Sequence, residues 1–155
     1  EEMKGLAAEG AALRKELIDS IQKDTESFTA YMNALGMPKN TDEEKAARKE
    51  AMQNGLKEAA EVPLAVAETA LKIFHVAGAV VERGNANAVT DGLVASMMAR
   101  TAVLSALLNV KINLGSIKDE EFVARMAAKV AELEKAAMDG EKAVMELSAL
   151  TRDLV

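Results

Sequence analysis

The chain has 155 residues, half of them hydrophobic but only 3% aromatic, with two prolines and no cysteine. That length supports one domain with a single core, and a core of Ala, Leu, Val, Ile and nine Met favours packed helices over a sandwich of sheets. A formal net charge of −6 argues against sequence-independent nucleic-acid binding, and the lack of cysteine excludes a disulfide framework, a thiolate nucleophile and a cysteine zinc site.

In chain order, Met3 to Leu35 reads as a long helix, because Leu6, Leu13, Leu17, Ile21, Phe28, Tyr31, Met32 and Leu35 recur mostly at three-, four- and seven-residue spacing. Gly36 and Pro38 end it. Thr41-Asp42-Glu43-Glu44 is a capping-box pattern that opens a second helix running toward Glu82. Its first half is charged and its second half, from Val62, is apolar almost all round. Pro63 predicts a kink or short break there, since proline removes a backbone hydrogen bond and crowds the preceding turn. The polar stretch Arg83-Gly84-Asn85-Ala86-Asn87-Ala88-Val89-Thr90-Asp91 follows, with Gly84 expected at a positive-φ helix C-cap.

A third helix covers about Ala88 to Leu114, with Ala95, Ala99, Ala102 and Ala106 on one stripe that admits another helix closely, within the chain or across a subunit interface. Gly92 to Val110 is nearly apolar, but Arg100 at its centre and the lack of a Trp/Tyr belt argue against a membrane span. Asp119-Glu120-Glu121 opens a fourth helix, acid-first as the helix dipole prefers, running to about Leu150 with Gly140 as a weak point. Four long helices joined by short loops predict an all-α, elongated up-down bundle. The two nearly all-apolar stretches exceed what one small bundle covers, so a further helix or a partner subunit is expected over them.

Several segments then point to a family. Asp24-Thr25-Glu26-Ser27-Phe28-Thr29-Ala30-Tyr31, Met37-Pro38-Lys39-Asn40-Thr41 with Glu43-Glu44-Lys45 and Arg48, Val62-Pro63-Leu64, Gly84-Asn85-Ala86-Asn87 with Asp91, and Asn109-Val110-Lys111-Ile112-Asn113-Leu114 together resemble the formiminotetrahydrofolate cyclodeaminase family. The likeness keeps order and spacing over nearly the whole chain. It implies a dimeric, all-helical, folate-handling domain, in some members fused to a formiminotransferase. The implied reaction is that of an ammonia-lyase, closing 5-formiminotetrahydrofolate to 5,10-methenyltetrahydrofolate with release of ammonia and without metal or organic cofactor. Methenyltetrahydrofolate cyclohydrolases share the scaffold, so that activity is the alternative, and a non-catalytic helical folate-binding subunit is a third. Family members normally begin with a glycine-rich loop and a first Ala-rich helix that this sequence lacks. Residues 1–155 are therefore expected to be a single helical domain, incomplete at its N-terminus. The family also usually has an acid where Gln22 stands. With no signal-peptide pattern, a cytoplasmic location is the default expectation.

The chemistry requires N10 to lose a proton, a tetrahedral intermediate to be stabilised, and nitrogen to depart as ammonia. Asp91, one turn into the third helix, is the candidate proton shuttle, and a favourable first-turn acid is the simpler explanation of it. Asn85 and Asn87 are candidates to hold a pterin, or they cap the turn. Asp24 is a second acid suited to the pterin's donors, and Lys39 and Arg48 are candidates for the folate's glutamate carboxylates. His75, the only histidine, is expected to be packed and hydrogen-bonded, and Arg100 requires an acid partner or a ligand.

Overall fold

The computed structural model describes residues 1–154, among which there is no strand. Its helices are α1 (Glu2–Leu35), α2 (Asp42–Leu71), α3 (Ile73–Arg83), α4 (Val89–Leu114) and α5 (Glu120–Glu146), with 3-10 turns at Ala86–Ala88 and Arg152–Leu154. α2 and α3 follow one line, so the bundle is up-down-up-down as expected. α2 packs against both α1 and α4, and α4 packs against α3 and α5. The core is aliphatic, with Val103, Leu107 and Val110 of α4 fully buried at its centre.

The capping box forms as the sequence predicts: Glu44 N–H donates to Thr41 Oγ1 (3.2 Å), while Glu44 Oε2 accepts from the Thr41 N–H (3.2 Å). The expected interruption at Pro63 does not form. The helix runs unbroken from Asp42 to Leu71, and the break falls at Lys72, where His75 N–H reaches Lys72 O (3.2 Å) in a tighter i−3 pattern. A side chain explains how Pro63 is tolerated. The carbonyl orphaned by its missing N–H is that of Ala59, four residues back. Asn113 of α4 donates its Nδ2–H to that oxygen at 2.9 Å. The ladder gap is thus closed from a neighbouring helix.

Other expectations shift. Gly84 has φ −79°, so it is not a left-handed cap. It is required by close approach, since a Cβ there would lie 2.4 Å from Val80 O. α5 ends at Glu146 rather than near Leu150, in turns held by Thr151 Oγ1 donating to Met145 O (2.7 Å). Gly140 is no weak point: it lies within α5, and a Cβ there would meet the Phe74 ring at 2.6 Å. His75 is exposed rather than packed, with Nδ1 3.2 Å from Glu9 Oε1.

Asp42–Arg83 and Ala86–Leu114 are long and apolar enough to cross a membrane by length and composition. Here they pack on each other. Arg100 Nε sits 2.7 Å from Glu141 Oε2 of α5, off the line of a well-directed hydrogen bond, as an ion pair within the chain. The alanine stripe of α4 likewise packs within the chain, with Ala99 and Ala106 buried in the core.

One face is left open. α1 and α4 run parallel on either side of α2–α3, and no Cα of α1 comes within 8 Å of one in α4 among the described residues. The groove between them is walled by apolar side chains that face solvent, among them Ile21 (68% exposed), Phe28 (61%) and Met98 (64%).

Candidate functional site

The groove deepens into a cleft at its middle. Leu17, Ile21 and Asp24 of α1, Pro63 and Val66 of α2, and Ala102, Ser105 and Asn109 of α4 line a volume of about 420 Å³. A second hollow of about 290 Å³ continues from it past Asp24 and Asn109 to Phe28, Tyr31 and Asn113. Asp24 and Asn109 belong to both, so they stand at the junction. Pro63 is buried, and its apolar ring lines this cleft.

The polar atoms at this junction divide into held and free. Asn113 is held, since its Nδ2 donates to both Ala59 O and Asn109 O (3.0 Å). Ser27 is buried and its hydroxyl donates to the Asp24 backbone carbonyl (2.9 Å). The Asp24 carboxylate, the Asn109 carboxamide and the Tyr31 hydroxyl have no side-chain partner among the described residues. A carboxylate, an amide and a phenol on an otherwise apolar wall suit a flat heterocycle with several donors and an apolar face. No group of three or more metal-ligating side chains is found among the described residues.

The sequence-derived candidates are not brought together within one chain. Asp91 lies in the first turn of α4, exposed, 18 residues before Asn109, or about 27 Å along the helix. Asn85 and Asn87 share that end. Asn85 Oδ1 accepts from the Asn87 N–H (3.0 Å), so it caps the 3-10 turn and leaves its amide nitrogen outward. Lys39 lies at the opposite end, beyond the last turn of α1, and is exposed. Arg48 is partly engaged, donating through Nε and a terminal nitrogen to Leu35 O (3.3 and 3.1 Å) at the C-terminus of α1. Asp24 alone sits in the central cleft. The cleft residues that sequence reasoning did not single out are Tyr31 and Asn109. The signal for Asn109 was two asparagines one turn apart on a helix that is otherwise nearly apolar.

Against this geometry, comparison with known proteins is decisive for family. The sequence profile described as Formiminotransferase-cyclodeaminase matches residues 1–132. The chain belongs to the formiminotransferase-cyclodeaminase family. Among its relatives is a methenyltetrahydrofolate cyclohydrolase of Methylorubrum extorquens, 40% identical over 121 residues, which cover 78% of this chain and 58% of that protein. A formimidoyltransferase-cyclodeaminase of Gallus gallus is 36% identical over 132 residues, covering 85% of this chain and 24% of the bird protein. The crystal structure of a formiminotetrahydrofolate cyclodeaminase from Thermotoga maritima superposes with a TM-score of 0.76 at 29% identity, covering 93% of this chain and 66% of that one. This member of the family therefore has the cyclodeaminase fold, and it spans a little over half of the bacterial relative and about a quarter of the animal one.

Proposed function

We propose that the protein closes 5-formiminotetrahydrofolate to 5,10-methenyltetrahydrofolate and releases ammonia. The observation that carries this reading is the central cleft of a family member, where an unpartnered carboxylate and carboxamide stand on an apolar floor. Asp24 accepts hydrogen bonds from the pterin's amino and ring N–H donors, and Phe28 offers its face to the ring. Lys39, with the free edge of Arg48, meets the distal glutamate carboxylates.

The chemistry balances with one carboxylate. N10 attacks the formiminium carbon and forms a C–N bond. The carboxylate takes the N10 proton and returns it to the exocyclic nitrogen, whose bond to carbon then breaks. Ammonia leaves, the amidinium cation of the methenyl product remains, and the carboxylate ends as it began. We assign this shuttle to Asp91, which, with Asn85 and Asn87 beside it, stands about 27 Å along α4 from Asn109 and reaches a pterin held at Asp24 only from the second chain of the dimer that the family resemblance implies. No metal or organic cofactor is required by the steps.

The cyclohydrolase reading has its own support in the 40% identity to a protein of that name. In it, water attacks the methenyl carbon, the same carboxylate takes the water proton and delivers it to N5 as the C–N5 bond breaks, and the remaining hydroxyl proton leaves to solvent as the 10-formyl carbonyl forms. Purified protein given each substrate separates the two. Ammonia released in step with methenyl product supports the first, and hydrolysis of added methenyltetrahydrofolate with no ammonia from the formimino compound replaces it with the second.

A further inference from the structure

The second hollow, past the Asp24–Asn109 junction, is lined by acceptors because its donors are spent inside the protein. Asn113 uses both Nδ2 hydrogens, one on Ala59 O (2.9 Å) and one on Asn109 O (3.0 Å). Both partners are carbonyl oxygens, so the carboxamide has one favourable orientation: turned over, its Oδ1 would face two other oxygens. Oδ1 is left without a partner among the described residues, on a half-buried side chain that lines the hollow. Ser27, in the same wall, is buried and spends its hydroxyl hydrogen on Asp24 O (2.9 Å), which leaves its oxygen only as an acceptor. The Asp24 carboxylate adds its own acceptor oxygens.

Pro63 is the cause of this arrangement. In an uninterrupted helix Ala59 O accepts from the N–H of residue 63, and a side chain on a neighbouring helix has nothing to supply there. Proline has no N–H to give. The freed carbonyl lies where α2 packs on α4, and it draws the Asn113 amide nitrogen toward α2. Because the carboxamide is planar, fixing its nitrogen on two carbonyls also fixes where its oxygen stands.

We infer that Asn113 Oδ1 is a specificity-determining acceptor for the exocyclic amino group of a 2-amino-pyrimidinone ring, and that Pro63 is the positioning residue that holds it in place. The fork of a carboxylate takes two parallel hydrogens, here one from the ring N–H and one from the adjacent amino group, at Asp24. The second amino hydrogen then needs another acceptor inside the hollow, and Asn113 Oδ1 supplies it. The hollow, about 290 Å³ with Phe28 in its wall, offers a flat ring an aromatic face beside these acceptors. An anionic group finds no free donor on Asp24, Ser27 or Asn113, so the donor-bearing end of a ligand is favoured here over its carboxylates. The recognition rests on the proposed folate substrate, whose pterin carries this amino-pyrimidinone edge, while the lock on Asn113 does not.

Calorimetric titration of tetrahydrofolate and of its 2-desamino-2-methyl analogue into wild type, Asn113→Ala, Pro63→Ala and the double variant tests the recognition. Asn113→Ala should bind tetrahydrofolate about tenfold more weakly than wild type, the loss of one buried hydrogen bond, and bind the analogue about equally well. Pro63→Ala, whose restored N–H takes over Ala59 O, should lose about threefold of the same selectivity. The double variant, with Ala59 O satisfied inside α2, carries the comparison if Asn113→Ala alone does not fold. Equal weakening of both ligands is a general structural loss and overturns the assignment. Side-chain amide hydrogen exchange, followed by nitrogen-edited NMR, reads the lock without a ligand. Asn113 should exchange more slowly than the exposed Asn40 in wild type and approach its rate in Pro63→Ala. Equal rates in wild type overturn the lock. Wild type that binds neither ligand overturns the folate reading and the recognition with it, while slow Asn113 exchange keeps the lock. Binding of tetrahydrofolate with unchanged selectivity in Asn113→Ala overturns the recognition alone.

Discussion

Replacing Asn113 by Ala removes the donor that closes the gap left by Pro63. Its Nδ2 lies 2.9 Å from Ala59 O, and the site is half-buried between α2 and α4, so water replaces the lost bond only in part. Leaving a buried carbonyl unsatisfied costs about 1–3 kcal/mol, and partial solvent access places this case near 1–2 kcal/mol. The reasoning is specific enough for a double-mutant cycle. In a Pro63→Ala background, residue 63 regains its N–H and satisfies Ala59 O within α2, so Asn113→Ala should then cost less than about 0.5 kcal/mol. The expected coupling is about 1 kcal/mol, above the roughly 0.3–0.5 kcal/mol additivity error for independent sites. Urea unfolding followed by helical circular dichroism measures all four proteins. An equal loss in both backgrounds would refute the claim that Asn113 compensates for the proline.

Other outcomes follow from single contacts. A Cβ on Gly92 would sit 2.7 Å from Val81 Cγ2 and 3.2 Å from Ala77 O, whereas one on Gly10 meets only Val76 Cγ1 at 3.8 Å. Both substitutions gain the same helix propensity, so Gly92→Ala should be less stable than Gly10→Ala by about 1–3 kcal/mol of overpacking, read from the same urea midpoints. Asp119 caps α5 by accepting from the Phe122 N–H (3.0 Å) and pairs with Lys57 Nζ (2.6 Å). The Lys57 hydrogen bond, followed by the Phe122 N–H, holds its carboxyl below the usual range. Its stabilisation is therefore complete above about pH 4 and is lost as pH falls through the lower folded value. The melting temperature of the wild type should exceed that of Asp119→Asn at pH 6, and the gap should narrow as the pH is lowered through the acid range. A gap that stays constant with pH would show the charge to be irrelevant.

Much of the architecture was legible because it rests on local rules. The Thr41–Glu44 box, the acid-first start at Asp119 and the helices α1 and α4 formed where local pattern placed them, and α5 did so except for its last turn. What local pattern missed was set by tertiary partners. Pro63 stays in a helix because a side chain 50 residues away supplies its missing donor. Gly84 is fixed by the nearness of Val80 O rather than by positive φ. The sequence also gathered candidate residues from both ends and the middle of the bundle without registering their separation. Asp91 and Asn109 lie on the same helix, and only the 1.5 Å rise per residue, applied to 18 positions, reveals the distance between them. The open face of α4 was hidden by the fact that all faces of this helix are apolar, so periodicity alone did not tell the inner face from the outer one.

The most direct test measures ammonia released from 5-formiminotetrahydrofolate by the purified protein and by Asp91→Asn, alongside the methenyl product. One ammonia per methenyl formed by the wild type is expected, with turnover reduced at least about 100-fold in Asp91→Asn and its helical spectrum unchanged. No ammonia from the wild type, or near-normal turnover in the variant, would contradict the assignment of a cyclodeaminase with Asp91 as its proton shuttle.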